Sequence, residues 1–157
     1  MKSFIVRESP HGLGAFAARH IDAGEVILEI PCEKFSLISY QELLKKRITD
    51  NPLQISSRRY LDWRGQCIRF NHSCSPNTGL TSHPKLAYVA IKSIRSGEEI
   101  RWDYSTSMDK YTECDFHCHC GGHPCRKVIG GFKKLTSSLK KNYTALGVVQ
   151  KFILKEK

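Results

Sequence analysis

Three cysteines stand close together near the C-terminus, in the string Cys118-His119-Cys120-Gly121-Gly122-His123-Pro124-Cys125. Thiolates at this C-x-C-x4-C spacing can reach one tetrahedral zinc ion, and Gly121-Gly122 lets the chain wrap around it. Zinc needs a fourth ligand. Cys114, His117, His119 and His123 are the local candidates, and Cys74 is a distant one. The chain has seven cysteines, four of them between Cys114 and Cys125. Without a secretion signal, such clustering points to a metal or free thiols more than to disulfides. Cys32 and Cys67 stand alone and read as buried structural thiols.

Two other stretches have residue types suited to chemistry. Asn71-His72-Ser73-Cys74-Ser75-Pro76-Asn77 is a turn in which Asn71 and His72 offer directed hydrogen bonds. Gly97-Glu98-Glu99-Ile100-Arg101-Trp102-Asp103-Tyr104 places an aromatic, an acid and a tyrosine where a strand could line a pocket. Taken singly, the first is a polar loop and the second an ordinary strand edge.

The elements that must position these residues are short. Phe4-Ile5-Val6, Ala15-Phe16-Ala17, Val26 to Ile30, Leu86 to Ile91 and Glu99 to Tyr104 read as strands. Ser9 to Gly14, Asp22 to Glu25 and Ser96-Gly97 read as turns or loops. Ser39 with Glu42 makes a capping box that starts a helix. Residues 48–66 have no clear pattern. From Thr136 the pattern is helical, with Leu135, Leu139 and Tyr143 on one face. Gly147 breaks it, and a short helix with Val148, Val149, Phe152 and Ile153 follows. The expectation is a mostly β domain with short helices and no Rossmann-type alternation.

Composition sets the outer bounds. The 157 residues suffice for one real core, and 40% apolar with 10% aromatic residues is a globular composition. No stretch is long and apolar enough for a signal peptide or a membrane span, so a soluble cytoplasmic or nuclear protein is expected. Delivery to a host cell stays open. The formal charge is +10, and the excess lies mainly at Lys127, Lys133, Lys134, Lys140, Lys141, Lys151, Lys155 and Lys157. A solvated helical face is the simpler reading, which leaves nucleic-acid contact open without requiring it.

In combination the motifs are more specific. Gly12-Leu13-Gly14, the N-H-S-C-x-P-N string from Asn71, the Gly97–Tyr104 string and C-x-C-G-x3-C-R from Cys118 occur in this order. The chain from about Ser3 to Ile129 resembles the SET-domain family of protein lysine methyltransferases with a cysteine-rich post-SET segment. Its compactness looks like the short free-standing SET proteins of bacteria and some viruses. The resemblance implies a SET fold of small sheets (β-clip-like) with pseudoknot-like threading, in which Asn71–Asn77 meets the strand ending at Tyr104. It implies a SET domain over 3–113, a post-SET zinc segment over 114–130 and a C-terminal helical extension over 131–157. It implies that Gly12, Leu13, Gly14, Asn71 and His72 hold S-adenosylmethionine, with Tyr104 as the catalytic tyrosine beside the cofactor. Trp102 falls at the substrate-channel position. Cys74 is implied as the ligand that joins Cys118, Cys120 and Cys125 on a structural zinc. The implied partner is a protein with an accessible lysine, a histone tail or another.

These roles agree with the chemistry. Methyl transfer is an in-line displacement, so positioning dominates. A free lysine has a pKa of about 10.4, and an apolar channel favours the neutral, nucleophilic amine. Aromatic faces attract the cationic sulfonium. Two departures from the family stand out. Arg69-Phe70 runs directly into Asn71 with no residue between, so Arg69 receives no role. Trp102 replaces the usual Phe or Tyr and has no hydroxyl to hold a water, which leans toward higher methylation states, although its bulk argues the other way. A SET-like module without activity is disfavoured because Asn71, His72 and Tyr104 are all present. A basic zinc-containing nucleic-acid binder is disfavoured because only Phe132, Tyr143 and Phe152 interleave the C-terminal lysines.

Overall fold

A computed structural model describes residues 2–46, 52–82, 84–109 and 116–155 of the chain. The chain opens with an antiparallel hairpin of β1 (Phe4–Ser9) and β2 (Gly12–Ala17). Only Pro10 and His11 form its turn, where Gly12 takes φ +90°. The expected Ser9–Gly14 loop is therefore mostly strand. The physical reason is pairing on both edges. Across from β1, Ala15 N–H donates to the Arg69 carbonyl, Ala17 N–H to Glu98, and Ile100 N–H back to Ala15.

Beyond Gly24, at φ +87°, β3 (Val26–Glu29) ends before Pro31 as its sequence requires. After β4 (Leu37–Ser39) comes α1 (Tyr40–Lys46), and the capping box is present. Ser39 N–H donates to the Glu42 carboxylate at 2.8 Å, and Glu42 N–H donates to the Ser39 hydroxyl at 3.2 Å. The unpatterned stretch contains β5 (Leu53–Ser56), β6 (Arg59–Leu61) and a 3₁₀ turn at Gly65–Ile68, while 48–51 lie outside the described residues. β4, β6 and β5 form one antiparallel sheet. β7 (Asn71–His72), β8 (Thr78–Thr81) and β9 (Ala87–Ala90) follow, and β3, β9 and β8 form a second antiparallel sheet.

The expected meeting of the two motifs is a parallel pair. β10 (Arg101–Trp102) lies beside β7, with Arg101 opposite Asn71 and Trp102 opposite His72. The strand is shorter than expected. Asp103 accepts from Ser105 N–H at 3.1 Å and caps a 3₁₀ turn over Tyr104–Ser107, so Tyr104 opens a turn instead of ending a strand.

The described part of the cysteine segment lies between β11 (Phe116–His117) and β12 (Val128–Ile129), which pair antiparallel. The expected boundary at 113/114 and Cys114 itself lie outside the described residues. α2 (Ser137–Ala145) is capped by Thr136, whose hydroxyl accepts from Leu139 N–H. Gly147, at φ +67°, ends it, and α3 (Lys151–Leu154) follows. Val148 and Val149 are buried in the link before α3, not in the helix.

The main core gathers Phe4, Ile21, Leu61, Trp63, Phe70, Leu80, Tyr88, Ile94, Ile100 and Trp102. A second cluster, Leu135, Tyr143, Val148, Val149 and Ile153, seats the C-terminal helices. They sit tightly on β8: a Cβ at Gly79 would lie 2.3 Å from Val148, and Gln150 donates to the Leu80 carbonyl at 3.1 Å. No described helix is long and apolar enough to cross a membrane.

Candidate active site and metal centre

Cys74 follows β7, and Cys118, Cys120 and Cys125 lie between β11 and β12. Folding brings them together. Cys74 and Cys118 sulfurs are 3.6 Å apart, and Cys120 and Cys125 sulfurs 3.9 Å. Zn–S bonds of about 2.3 Å in a tetrahedron place sulfurs about 3.8 Å apart, so this spacing fits zinc. Backbone N–H groups point at the sulfurs as they do around thiolates. Cys74 and Gly122 donate to Cys120, Arg126 to Cys74 and Lys127 to Cys125, at 3.4–3.5 Å. Burial pushes the Cys120 thiol up, but the Cys74 and Gly122 N–H groups, with Cys118 and Cys125, outweigh it and hold it down to about 6.

One neighbour was not foreseen. The side chain of His72 joins Cys74, Cys118 and Cys120 in a group whose ligand atoms lie within 4.8 Å of one another. Its chemistry argues against ligation. Tyr104 N–H donates to His72 Nδ1 at 3.3 Å, and Nε2 lies 3.4 Å from Cys74 Sγ. Burial holds the imidazole neutral, its pKa lowered to about 4, so it carries one proton. With Nδ1 accepting, that proton sits on Nε2 and faces the sulfur. A protonated ring nitrogen cannot bind metal; it supports the thiolate instead. Cys125 Sγ lies 3.9 Å from Cys120 Sγ, beside that group but outside it. His117, His119 and His123 are exposed and stand outside the cluster. Four thiolates would close the shell of the ion, which gives it a structural role.

Beside the cluster lies Asp103, 1% exposed. Arg126 grips it with two bonds of 2.7 Å, and the Tyr143 hydroxyl donates to it at 3.0 Å. Burial disfavours the Arg126 charge, but Asp103 more than restores it and raises its pKa. Arg126 and Tyr143 had no assignment from sequence. For Arg126 the signal was adjacency to Cys125; for Tyr143 there was none.

Tyr104 packs against His72, with ring centroids 5.2 Å apart, and Trp102, at 5.0 Å. Its hydroxyl donates to the Phe70 carbonyl at 3.3 Å, and the Trp102 indole N–H donates to the same oxygen at 2.9 Å. Burial pushes the Tyr104 pKa up to about 12, with the Glu99 charge adding to the rise, so the hydroxyl stays protonated. Trp102 is 3% exposed and packs on Trp63 and Tyr88. It backs Tyr104 from the core side.

Asn71 faces the strand Gly12–Ala17. Its amide donates to Glu99 at 2.9 Å and to Ser9 at 3.3 Å, with the Leu13 carbonyl at 3.5 Å. A Cβ at Gly14 would lie 2.6 Å from Glu99 Oε1 and 3.0 Å from Asn71 Nδ2, so a side chain there would have to push these groups aside. The structure thus brings Gly14, Asn71, His72, Tyr104 and the cysteines into one contiguous region, while Gly12 and Leu13 stand at its exposed rim.

Comparison with known proteins identifies the family. A model of the SET domain matches residues 12–105. The chain belongs to the SET-domain family. It is 27% identical over 146 residues to "Histone-lysine N-methyltransferase trithorax" of Drosophila virilis, covering 80% of this chain and 4% of that protein. It is 31% identical over 164 residues to "Histone-lysine N-methyltransferase, H3 lysine-36 specific" of Eremothecium gossypii, covering 92% of this chain and 23% of that protein. The chain therefore spans under a quarter of the length of either relative. The methyltransferase domain of human SETMAR shares its fold, with a TM-score of 0.60 at 21% identity over 82% of this chain and 58% of that one.

Proposed function

We propose that the chain is a protein-lysine N-methyltransferase that uses S-adenosylmethionine and carries one structural zinc. The observation that carries this reading is the convergence of Gly14, Asn71 and His72 with Tyr104 at the crossing of β7 and β10, in a chain of the SET family. The relatives named above, histone-lysine methyltransferases, support a protein substrate with an accessible lysine, such as a histone tail.

When bound, S-adenosylmethionine would supply a methyl group on its sulfonium: a neutral lysine amine would form the N–C bond in line as the C–S bond breaks and S-adenosylhomocysteine leaves. The chain's own residues do the positioning. Gly12 to Gly14 and Asn71 hold the cofactor at the edge of β2. His72, fixed between Tyr104 N–H and Cys74, keeps β7 in register with the turn that carries Tyr104. The Tyr104 hydroxyl is held neutral, so it can orient the amine without removing its proton; that proton leaves to solvent. Trp102 fixes the tyrosine from behind. Cys74, Cys118, Cys120 and Cys125 hold the zinc, which pins the C-terminal segment beside Tyr104.

The test uses tritiated S-adenosylmethionine with core histones and, separately, a whole-cell lysate. Label on lysine is expected with the wild-type chain. Tyr104→Phe should keep the thermal midpoint and cofactor affinity but lower turnover by about 10². Asn71→Ala should weaken cofactor binding in calorimetry by about tenfold. Label that does not depend on Tyr104, or equal affinity in Asn71→Ala, would remove these residues from the site.

A further inference from the structure

Tyr143 is a polar residue in an apolar place. It sits in the second core cluster with Leu135, Val148, Val149 and Ile153, and is 2% exposed. Phenylalanine would fill that cluster without needing a partner. A tyrosine there buries a hydroxyl, which is costly unless it is hydrogen-bonded. Its partner is Asp103 Oδ2, at 3.0 Å. A carboxylate can only accept, so the hydroxyl donates. Arg126 already neutralises Asp103 through its two 2.7 Å bonds. Charge balance therefore does not call for Tyr143, and its role has to come from where Asp103 stands.

Asp103 stands at the head of the turn that carries Tyr104. Its Oδ1 accepts from Ser105 N–H at 3.1 Å, and its carbonyl accepts from Thr106 N–H at 3.1 Å. The carboxylate that Tyr143 holds at one oxygen thus caps the turn with the other. The C-terminal extension reaches the same stretch elsewhere. Gln150 N–H donates to the Thr106 carbonyl at 3.1 Å. Phe132 N–H, in the 3₁₀ turn Phe132–Lys134, donates to the Met108 carbonyl at 2.8 Å. Gly131 packs so closely here that a Cβ would lie 2.3 Å from the Asp109 carbonyl oxygen. The Gln150 and Phe132 bonds use backbone N–H groups, which any residue but proline supplies. The bond to Asp103 needs the Tyr143 hydroxyl. Because the extension is anchored on β8 through Val148 and Gln150, it offers Asp103 a fixed donor. The match to the SET domain ends at residue 105, so α2 and Tyr143 lie outside it.

We propose that Tyr143 is a positioning residue for Tyr104: the C-terminal extension clasps the turn Tyr104–Ser107 and, through Asp103, sets where the Tyr104 hydroxyl stands. This rests on the reading of Tyr104 as the catalytic tyrosine. Tyr143 acts through Asp103 and takes no part in bond making. A reacting group displaced by about 1 Å loses about 10²-fold in rate, so a turn loosened by roughly a few tenths of an ångström should lose several-fold.

The test separates position from stability. Methyl transfer from tritiated S-adenosylmethionine to core histones is followed with the full chain as wild type, Tyr143→Phe, Tyr104→Phe, the double variant and Ile153→Val. Ile153→Val thins the same cluster and should lower the thermal midpoint by a similar amount. Tyr143→Phe should lower kcat about fivefold, with zinc content and both KM values within about twofold, whereas Ile153→Val keeps kcat. In the Tyr104→Phe background, Tyr143→Phe should bring no further loss. Hydrogen exchange supplies a readout besides activity. The Ser105 and Thr106 amides should exchange about fivefold faster in Tyr143→Phe than in Ile153→Val. An unchanged kcat, an equal loss in Ile153→Val, or losses that multiply in the double variant would each overturn the proposal. A wild-type chain that labels no lysine overturns the functional reading instead. The exchange measurement still judges the clasp, which falls if Ser105 and Thr106 are as well protected in Tyr143→Phe as in the wild type.

Discussion

On one side of Tyr104 lie the cysteines, His72 and Asp103, where the polar atoms are answered from within the chain. Sulfurs receive backbone N–H groups, His72 bridges Tyr104 to Cys74, and Asp103 accepts four hydrogen bonds. On the other side lie Gly14, Asn71 and Glu99, where among the described residues Glu99 meets the Asn71 amide and, at 3.7 Å, the Arg101 guanidinium, and Asn71 Oδ1 meets no donor. The first side behaves as scaffold: its groups cost free energy if any partner is taken away. The second behaves as a receptor: among the described residues its acceptors meet fewer donors than they can take. The contrast teaches where to look for stability effects and where for binding effects in the same small domain.

The largest effect should come from the thiolates. If the cluster holds zinc as proposed, Cys120→Ser should abolish it, measured by elemental analysis, and cost several kcal/mol of stability, because metal binding at such a site would be folding free energy. Cys125→Ser and Cys74→Ser should do the same, whereas His72→Gln should keep the ion. Full zinc in Cys125→Ser with none in His72→Gln would reverse the tautomer argument. Full zinc in Cys74→Ser would leave a purely local site.

Next is the buried pair beside them. Asp103→Asn leaves Arg126, 20% exposed at its side chain, without its counter-charge. The cost should be about 3–5 kcal/mol in denaturant unfolding. Tyr143→Phe removes one donor from the same carboxylate and should cost about 1 kcal/mol. A neutral Asp103→Asn would show that this side is not the scaffold.

On the receptor side the balance should invert. Gly14→Ala pushes a methyl against Glu99 and Asn71 and should cost about 1–3 kcal/mol. Its more telling result is a cofactor affinity that falls further than Asn71→Ala makes it fall, since both acceptors move. An affinity that is unchanged would detach Gly14 from the receptor.

The smallest effect is a reference remote from both sides. Ser39→Ala breaks the capping box of α1 and should cost about 1 kcal/mol, with zinc content and cofactor affinity intact. A change in either would mean that stability losses spread, and that the two sides are not separable by mutation.

What the sequence determined by itself was the local chemistry. Ser39 and Glu42 announce a helix start because a cap needs only neighbours three residues apart. Cys118, Cys120 and Cys125 announce a metal because three thiolates so close have little else to do. The order of the motifs carried the family, and with it Cys74. Tertiary structure decided the rest, for reasons of pairing and burial. Gly12–Gly14 became strand because two partners arrive from Phe4–Ser9 and Glu98–Ile100, which no alternation of apolar residues in Gly12–Ala17 signals. Trp102 became a core residue because Trp63 and Tyr88 close over it. Asp103 and Glu99 look alike in the string from Gly97 to Tyr104. One is saturated by Arg126 and Tyr143, 23 and 40 residues away, and the other has, among the described residues, one hydrogen-bond donor and a looser ion pair with Arg101. The cost of a buried carboxylate depends on which donors the folded chain brings to it, and that is a property of three-dimensional neighbours, not of sequence spacing.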